Sequence, residues 1–117
     1  MTTQEVANRF YELSQQGKFD QILGELFSQD AKSVEPAGAD MPSVEGLDNI
    51  IQKGKSWNEA VEEMHGGSTG APIVAGNFFS CTMAMDVTMK GQGRMNMEEV
   101  CLYQVKDGKI VLEQFFY

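Results

Sequence analysis

The spacing of the apolar residues changes once along this chain, and that change limits the folds open to it. Up to about residue 60 the apolar positions recur every three or four residues, as on one face of a helix. From about Val61 onward they recur every second residue, as on one face of a strand. A single change of this kind predicts an α+β fold in which the helices come first and an antiparallel sheet follows.

Three helices are predicted in the first half of the chain, over residues 3–16, 18–27 and 47–64. A short strand is expected after the second helix, because the polar stretch SQDAKSVE leads to Pro36, which cannot continue a helix. The next ten residues are rich in glycine and proline and are predicted to form a loop.

Three long strands are predicted in the second half. In FSCTMAMDVTM every odd-numbered position is apolar, so this strand has one buried face. The glycines of GQG and KDG then indicate two tight turns, with RMNMEEVCLYQV between them and KIVLEQFFY after them. If GQG is a three-residue loop, Glu99 lies opposite Met85.

Composition excludes several classes of function. The 117 residues suit a single domain, 1–117, with one core. Seventeen acidic residues against nine basic ones give a net charge of −8, which argues against nucleic acid or an anionic membrane as a partner. Neither a signal peptide nor a membrane span is evident, so we expect a cytoplasmic protein. Cys81 and Cys101 lack metal-ligand spacing; we expect reduced thiols, no metal and no cofactor.

Two residues of the second half are acid–base candidates on pattern alone. Glu99 shares the odd-numbered face of its strand with Met97 and Cys101, so we expect its carboxylate to point inward and to need a partner. His65 is the only histidine, and imidazole is the side chain whose unperturbed pKa lies near neutrality. The alternatives are a strand-rim position for Glu99 and a hydrogen-bonded structural role for His65.

This chain resembles the NTF2-like superfamily, which includes SnoaL-type polyketide cyclases and ketosteroid isomerases. The resemblance lies in the order of four segments: the first helix, GKFDQILGELFSQDAKSVEPAG, the third helix and the closing VKDGKIVLEQFFY. The resemblance spans nearly the whole chain. It implies an NTF2-like cone, with three N-terminal helices packed in a curved, mostly antiparallel sheet around an internal pocket.

The resemblance also implies a reaction. The isomerases carry an acidic general base directly before a proline, and Glu35 in VEPAG falls on that position. A carboxylate in an apolar cavity is a stronger base toward a carbon acid because burial raises its pKa. The donor positions of the isomerases fall on Phe10, beside Tyr11, and on Cys101. Tyr11, His65 and Glu99 are therefore the candidate donors, and proton abstraction next to a carbonyl is the candidate reaction.

The interior of the cone is expected to bind a small apolar or carbonyl-bearing molecule. Flexible methionine side chains suit an adaptable pocket as well as a packed core. The expected pocket residues are Phe10, Trp57, Met83, Met85, Met97 and Cys101. The competing interpretation is a non-catalytic binding or assembly module.

A homodimer is also predicted. Val100 and Leu102 place apolar side chains on the otherwise polar face of their strand, and an outer sheet face of this kind needs a cover.

Overall fold

A computed structural model describes all 117 residues. Its three helices are α1 (Thr3–Gln15), α2 (Phe19–Leu26) and α3 (Leu47–Ala60). A capping box starts α1, in which the hydroxyl of Thr2 accepts from the backbone of Glu5 and the Glu5 carboxylate accepts from the backbone of Thr2. Helix α3 ends four residues earlier than predicted, because Val61 already pairs with Met89 in the sheet.

Seven strands form one sheet in the order β2-β1-β7-β6-β5-β3, with β4 paired to the end of β5. Their bounds are β1 Phe27–Val34, β2 Val44–Glu45, β3 Val61–Thr69, β4 Ile73–Ala75, β5 Phe78–Met89, β6 Gly93–Lys106 and β7 Lys109–Phe116. The last three strands form the predicted antiparallel meander. Helices preceding a curved sheet of this order confirm the predicted NTF2-like α+β cone.

One pair of strands is parallel. Strand β1 lies beside β7, so the sheet is mixed rather than wholly antiparallel. The two strands are far apart in the sequence, and a parallel neighbour needs a long connection, which here contains α3 and the strands from β2 to β6. No local turn signal could have predicted this pairing.

The hairpin between β5 and β6 corrects the predicted register. Met89 pairs with Gly93, so the three-residue loop covers residues 90–92 rather than 91–93. As a result Glu99 lies opposite Met83 and not opposite Met85. The odd-numbered face of both strands still points into the cone, as the alternation predicts, and Cys81 and Cys101 are paired and buried.

The core lies between α1 and the concave face of the sheet. Phe10 packs against Phe79 and Tyr103, with ring centroids 5.4 and 4.7 Å away, and Phe79 stacks on Tyr103 at 4.8 Å. Aromatic pairs at these separations contribute about 0.5–1.5 kcal/mol beyond the area that they bury. This aromatic cluster fills one part of the interior of the cone. The polar residues of the candidate site lie next to it. None of the helices has the length and apolar character that a membrane span requires.

Candidate functional site

A buried ion pair lies inside the cone. Lys53 Nζ is 2.9 Å from Glu35 Oε2, and each side chain is only 8% exposed. The same ammonium donates to Ser33 Oγ at 2.6 Å. The phenol of Tyr117 donates to the other carboxylate oxygen, Oε1, also at 2.6 Å. Removing two charges from water costs several kcal/mol per ion, so a pair of this kind is poor evidence for a purely stabilising role.

Two elements bring these groups together. Alternation along β1 places Ala31 and Ser33 on the buried face, and Glu35 continues that face one residue past the end of the strand. Its backbone N–H donates to Ser43 Oγ at 2.9 Å, which anchors the chain before Pro36. From the opposite side, Lys53 follows the buried Ile50 by three residues and so lies on the same face of α3.

A second carboxyl group, Glu113 of β7, is almost completely enclosed, with 8% of the residue exposed. It is paired with Ser33 across the parallel β1–β7 ladder and with Tyr103 across β6. Burial raises the pKa of Glu113 to about 7, against the opposing effects of a hydrogen bond from Ser33 and the charge of Lys53. The pKa of Glu113 therefore lies well above that of a solvated glutamate.

Glu99 supplies the third carboxyl group. Burial raises its pKa, a hydrogen bond from Cys101 lowers it, and the charges of Glu35 and Lys53 act in opposite directions. The thiol Sγ of Cys101 lies 3.7 Å from Glu99 Oε1. A hydrogen bond with Cys81, burial and the charge of Glu99 raise the pKa of Cys101 far above its usual range, so it stays a thiol.

The site therefore holds three carboxyl groups and one ammonium group. Lys53 contacts only Glu35 directly, and burial raises the pKa of each of the other two carboxyl groups. Burial and the hydrogen bond to Glu35 also raise the pKa of Tyr117, which remains a neutral phenol and a donor. A carboxylate paired with an ammonium group, near carboxyl groups whose pKa values are raised, is an arrangement that can both accept and donate a proton. No cluster of His, Cys, Asp and Glu side chains with metal-binding geometry is present.

Two of the four residues predicted for catalysis are linked in the structure by charge rather than by contact. The charge of Glu35 contributes to raising the pKa of Glu99. Tyr11 is half-buried on α1 and forms no hydrogen bond with either of them. His65 is elsewhere: its Nε2 lies 2.7 Å from Thr88 Oγ1 and its Nδ1 lies 3.3 Å from Glu63 Oε2.

The displacement of His65 has a clear cause. The β3–β5 register shifts between Val61 and Glu63, so that Val61 pairs with Met89 but Glu63 pairs with Thr88. This extra residue turns Glu63 and His65 to the polar face of β5, where Thr88 lies. Alternation alone could not show this, because one extra residue reverses the face of everything beyond it.

The predicted pocket residues divide into core and rim. Phe10 and Cys101 are buried, and Phe10 is part of the aromatic cluster rather than the wall of an open pocket. The remaining four are half-buried: Trp57, Met83, Met85 and Met97. A cleft of about 350 Å³ includes Met83 and Glu99, but most of its lining belongs to the outer face, including Thr82, Val100 and Phe116.

Three site residues were missed, for different reasons. Regular alternation starting from the buried Ile110 would turn Glu113 outward. In the structure Ile110 pairs with Val105 and Leu112 pairs with Gln104, so Val111 is an extra, bulged residue. The bulge turns Glu113 inward. Lys53 did carry a signal, since it interrupts the apolar face of α3. Tyr117 reaches Glu35 only because β7 lies beside β1.

Comparison with known proteins identifies the family. A family model described as a SnoaL-like domain matches residues 1–117. A protein of Mesorhizobium loti whose name likens it to SnoaL-like polyketide cyclases is 39% identical, with 100% of both chains covered and a TM-score of 0.94. No protein with a curated description matches the chain.

More distant structures share the fold. An NTF2-like protein of Burkholderia thailandensis has a TM-score of 0.83 at 17% identity, covering 99% of this chain and 90% of that one. A protein of Catenulispora acidiphila with a ketosteroid isomerase-like fold, solved with trimethylamine, has a TM-score of 0.66 at 20% identity, covering 82% and 72%. The match of the family model over the whole sequence shows that this chain belongs to the SnoaL-like family.

Proposed function

We propose that this protein binds a small carbonyl-bearing molecule inside the cone and moves a proton at the carbon next to the carbonyl, as an isomerase or a cyclase. The observation that carries the proposal is the buried Glu35–Lys53 pair, whose charges also act on the partly buried Glu99. It combines an ionised carboxylate, which can accept a proton, with a carboxyl group whose pKa is raised, which can donate a hydrogen bond.

Glu35 is assigned the role of base. Lys53 Nζ lies 2.9 Å from its carboxylate, and both side chains are largely shielded from water. In the proton transfer, the C–H bond next to the carbonyl breaks, the proton goes to Glu35, and the electron pair moves into the enolate. Oxygen Oε1 accepts from Tyr117, whose side chain lies at the exposed end of the site and has to yield to a ligand approaching that oxygen.

Glu99 is assigned the role of donor to the enolate oxygen. Its burial favours the protonated carboxyl group, which can donate where a carboxylate would repel the developing negative charge. The neutral phenol of Tyr117 is a second donor near the same end of the site. Lys53 acts through Glu35 and is assigned a positioning role.

A solvent-exchange experiment tests this proposal without a known substrate. The protein is incubated in deuterium oxide with a panel of cyclic ketones, β,γ-unsaturated ketones and 1,3-diketones, and deuterium incorporation next to the carbonyl is followed by proton NMR. We expect catalysed exchange that falls by at least about a hundredfold in Glu35→Gln, which keeps the shape of the side chain but cannot accept the proton.

Glu62→Gln is the matched control, because this glutamate is exposed on β3 and distant in the sheet from β1. The Glu62→Gln protein should catalyse deuterium incorporation into the ketones at the same rate as the parent protein. Equal exchange by the parent protein and Glu35→Gln would contradict the role of Glu35.

The second candidate function is binding without catalysis. It is favoured by the engagement of both Glu35 oxygens with protein donors, which leaves the carboxylate less free to act as a base. Probes that bind, as shown by shifted methionine methyl resonances, but never exchange would establish this alternative.

A further inference from the structure

Tyr117 enters the candidate site from its exposed end. It directly follows β7, and alternation along that strand places it on the same face as Glu113 and Phe115, which point into the cone. The residue is 61% exposed, whereas the side chain of Glu35, to which its phenol donates at 2.6 Å, is only 8% exposed. The hydroxyl of Tyr117 therefore reaches a buried acceptor while much of the residue remains in contact with solvent.

The two carboxylate oxygens of Glu35 are held in different ways. Oxygen Oε2 accepts from Lys53 Nζ, which also donates to the completely buried Ser33, so its partner is fixed inside the protein. Oxygen Oε1 accepts from Tyr117, the exposed partner. A buried carboxylate oxygen that loses its donor gives up a strong, charge-assisted hydrogen bond. A ligand that displaces Tyr117 from Oε1 must therefore bring a donor of its own.

The surroundings of the ion pair favour an aromatic donor. Lys53 Nζ lies 5.7 Å from the centre of the Phe115 ring, within the range of a cation–π interaction. Trp57 is half-buried and follows Lys53 by four residues, so it lies on the same face of α3. Tyr117 itself adds a third aromatic ring. A flat ring that carries a hydroxyl group suits both these aromatic neighbours and the acceptor on Glu35.

We infer that the site takes a ligand with a hydroxyl group on an unsaturated carbon, a phenol or an enol, which replaces the hydroxyl of Tyr117 on Glu35 Oε1. Displacement then exchanges one hydrogen bond for an equivalent one, and the buried carboxylate stays paired on both sides. The inference names the class of ligand for the site of the proposed function. It rests on that function only for the enol, which results when a proton moves from carbon to the carbonyl oxygen; the binding of a phenol involves no turnover.

Phenols and their methyl ethers are the matched probes. Para-cresol reproduces the side chain of tyrosine, and its methyl ether keeps the ring but has no hydrogen to donate. Para-phenylphenol and its methyl ether form a second, larger pair. Binding is followed by NMR from the shifts of the Glu35 carboxyl carbon and of the Tyr117 ring. We expect each phenol to bind the parent protein at least about tenfold more tightly than its ether, because only the phenol can donate to the charged Oε1.

Tyr117→Phe keeps the ring of this residue and removes the hydroxyl that competes with the ligand. We expect it to bind the phenols at least about tenfold more tightly than the parent protein does, while the ethers gain little. Glu35→Gln should reduce the preference for phenols over ethers, because a neutral amide accepts less strongly than a carboxylate. Tyr11→Phe is the control, because Tyr11 forms no hydrogen bond with Glu35, and its affinities should equal those of the parent protein.

Two results would overturn the inference. One is equal affinity for phenols and ethers in the parent protein and in Tyr117→Phe. The other is a Tyr117→Phe protein that binds the phenols no more tightly than the parent protein, or does not bind them at all. Should Tyr117→Phe not fold, the comparison of phenols with ethers in the parent protein still decides the first point. Binding of phenols is measured without turnover, so a failure of the ketone panel leaves it unaffected, and catalysed exchange without a preference for phenols would refute this inference alone.

Discussion

Lys53 and Glu35 form an ion pair of 2.9 Å in which each side chain is 8% exposed, although one belongs to α3 and the other follows β1. Lys53→Met keeps the length of the side chain and removes the charge. It leaves the Glu35 carboxylate buried without its counter-ion, so we expect a loss of about 3–5 kcal/mol in the free energy of unfolding at neutral pH. Urea denaturation of the two proteins measures this loss in the free energy of unfolding.

Two companion variants make this prediction specific. Lys55→Met, on the same helix but exposed, should change stability by less than about 0.5 kcal/mol. The double variant Lys53→Met, Glu35→Gln removes both charges and should recover part of the loss. A Lys53→Met protein as stable as the Lys55→Met protein would show that the pair is solvated in solution.

Glu113 makes the stability of the protein depend on pH. Its pKa of about 7 lies above the usual value of 4.5, so between these values the folded chain binds a proton that the unfolded chain has lost. The contribution of Glu113 to the free energy of unfolding is therefore fully present below its pKa in the unfolded chain. It is lost as the pH rises through its pKa in the folded protein. The difference between the two pKa values corresponds to about 3 kcal/mol in the free energy of unfolding. Above about pH 8 we therefore expect Glu113→Gln to be more stable than the parent protein by an amount of that order.

Denaturation curves at several pH values check this expectation. Near the unfolded pKa the two proteins should be equally stable, and the Glu62→Gln control should follow the parent protein throughout. Parallel stability curves for the parent protein and Glu113→Gln would show that Glu113 titrates normally.

The outer face of the sheet is expected to form a homodimer. Val100 and Phe116 are neighbours in the β6–β7 ladder and are 46% and 49% exposed, which adds Phe116 to the two residues that the sequence suggested. We expect light scattering to show a dimer at micromolar concentration and Val100→Glu to shift it toward monomer. Ile73→Glu, at an exposed apolar position on β4, should leave the dimer intact. A monomeric parent protein would refute the prediction.

The difference between what was and was not predictable from the sequence lies in the bulges and the distant pairings. The regular alternation of β5 and β6 placed Glu99 inward, and the proline motif marked Glu35. The positions of Glu113 and His65 were not predictable in this way, because each lies beyond an inserted residue, at Val111 in β7 and between Val61 and Glu63 in β3. The place of a bulge is set by the pairing with the partner strand, so the alternation within one strand does not locate it.

Glu99 should determine the alkaline side of any pH profile of exchange. Its protonated form is the proposed donor, so activity falls as the pH rises through its raised pKa, while the need for ionised Glu35 limits activity in acid. In Glu99→Gln the amide donates at every pH, so we expect exchange to persist, reduced by about tenfold or less, and the decline attributable to Glu99 to disappear. Glu99→Ala supplies no donor and should lose more activity at all pH values. An unchanged alkaline decline in Glu99→Gln would assign the donor to another group, and the same profile measured in Glu113→Gln would show whether that group is Glu113.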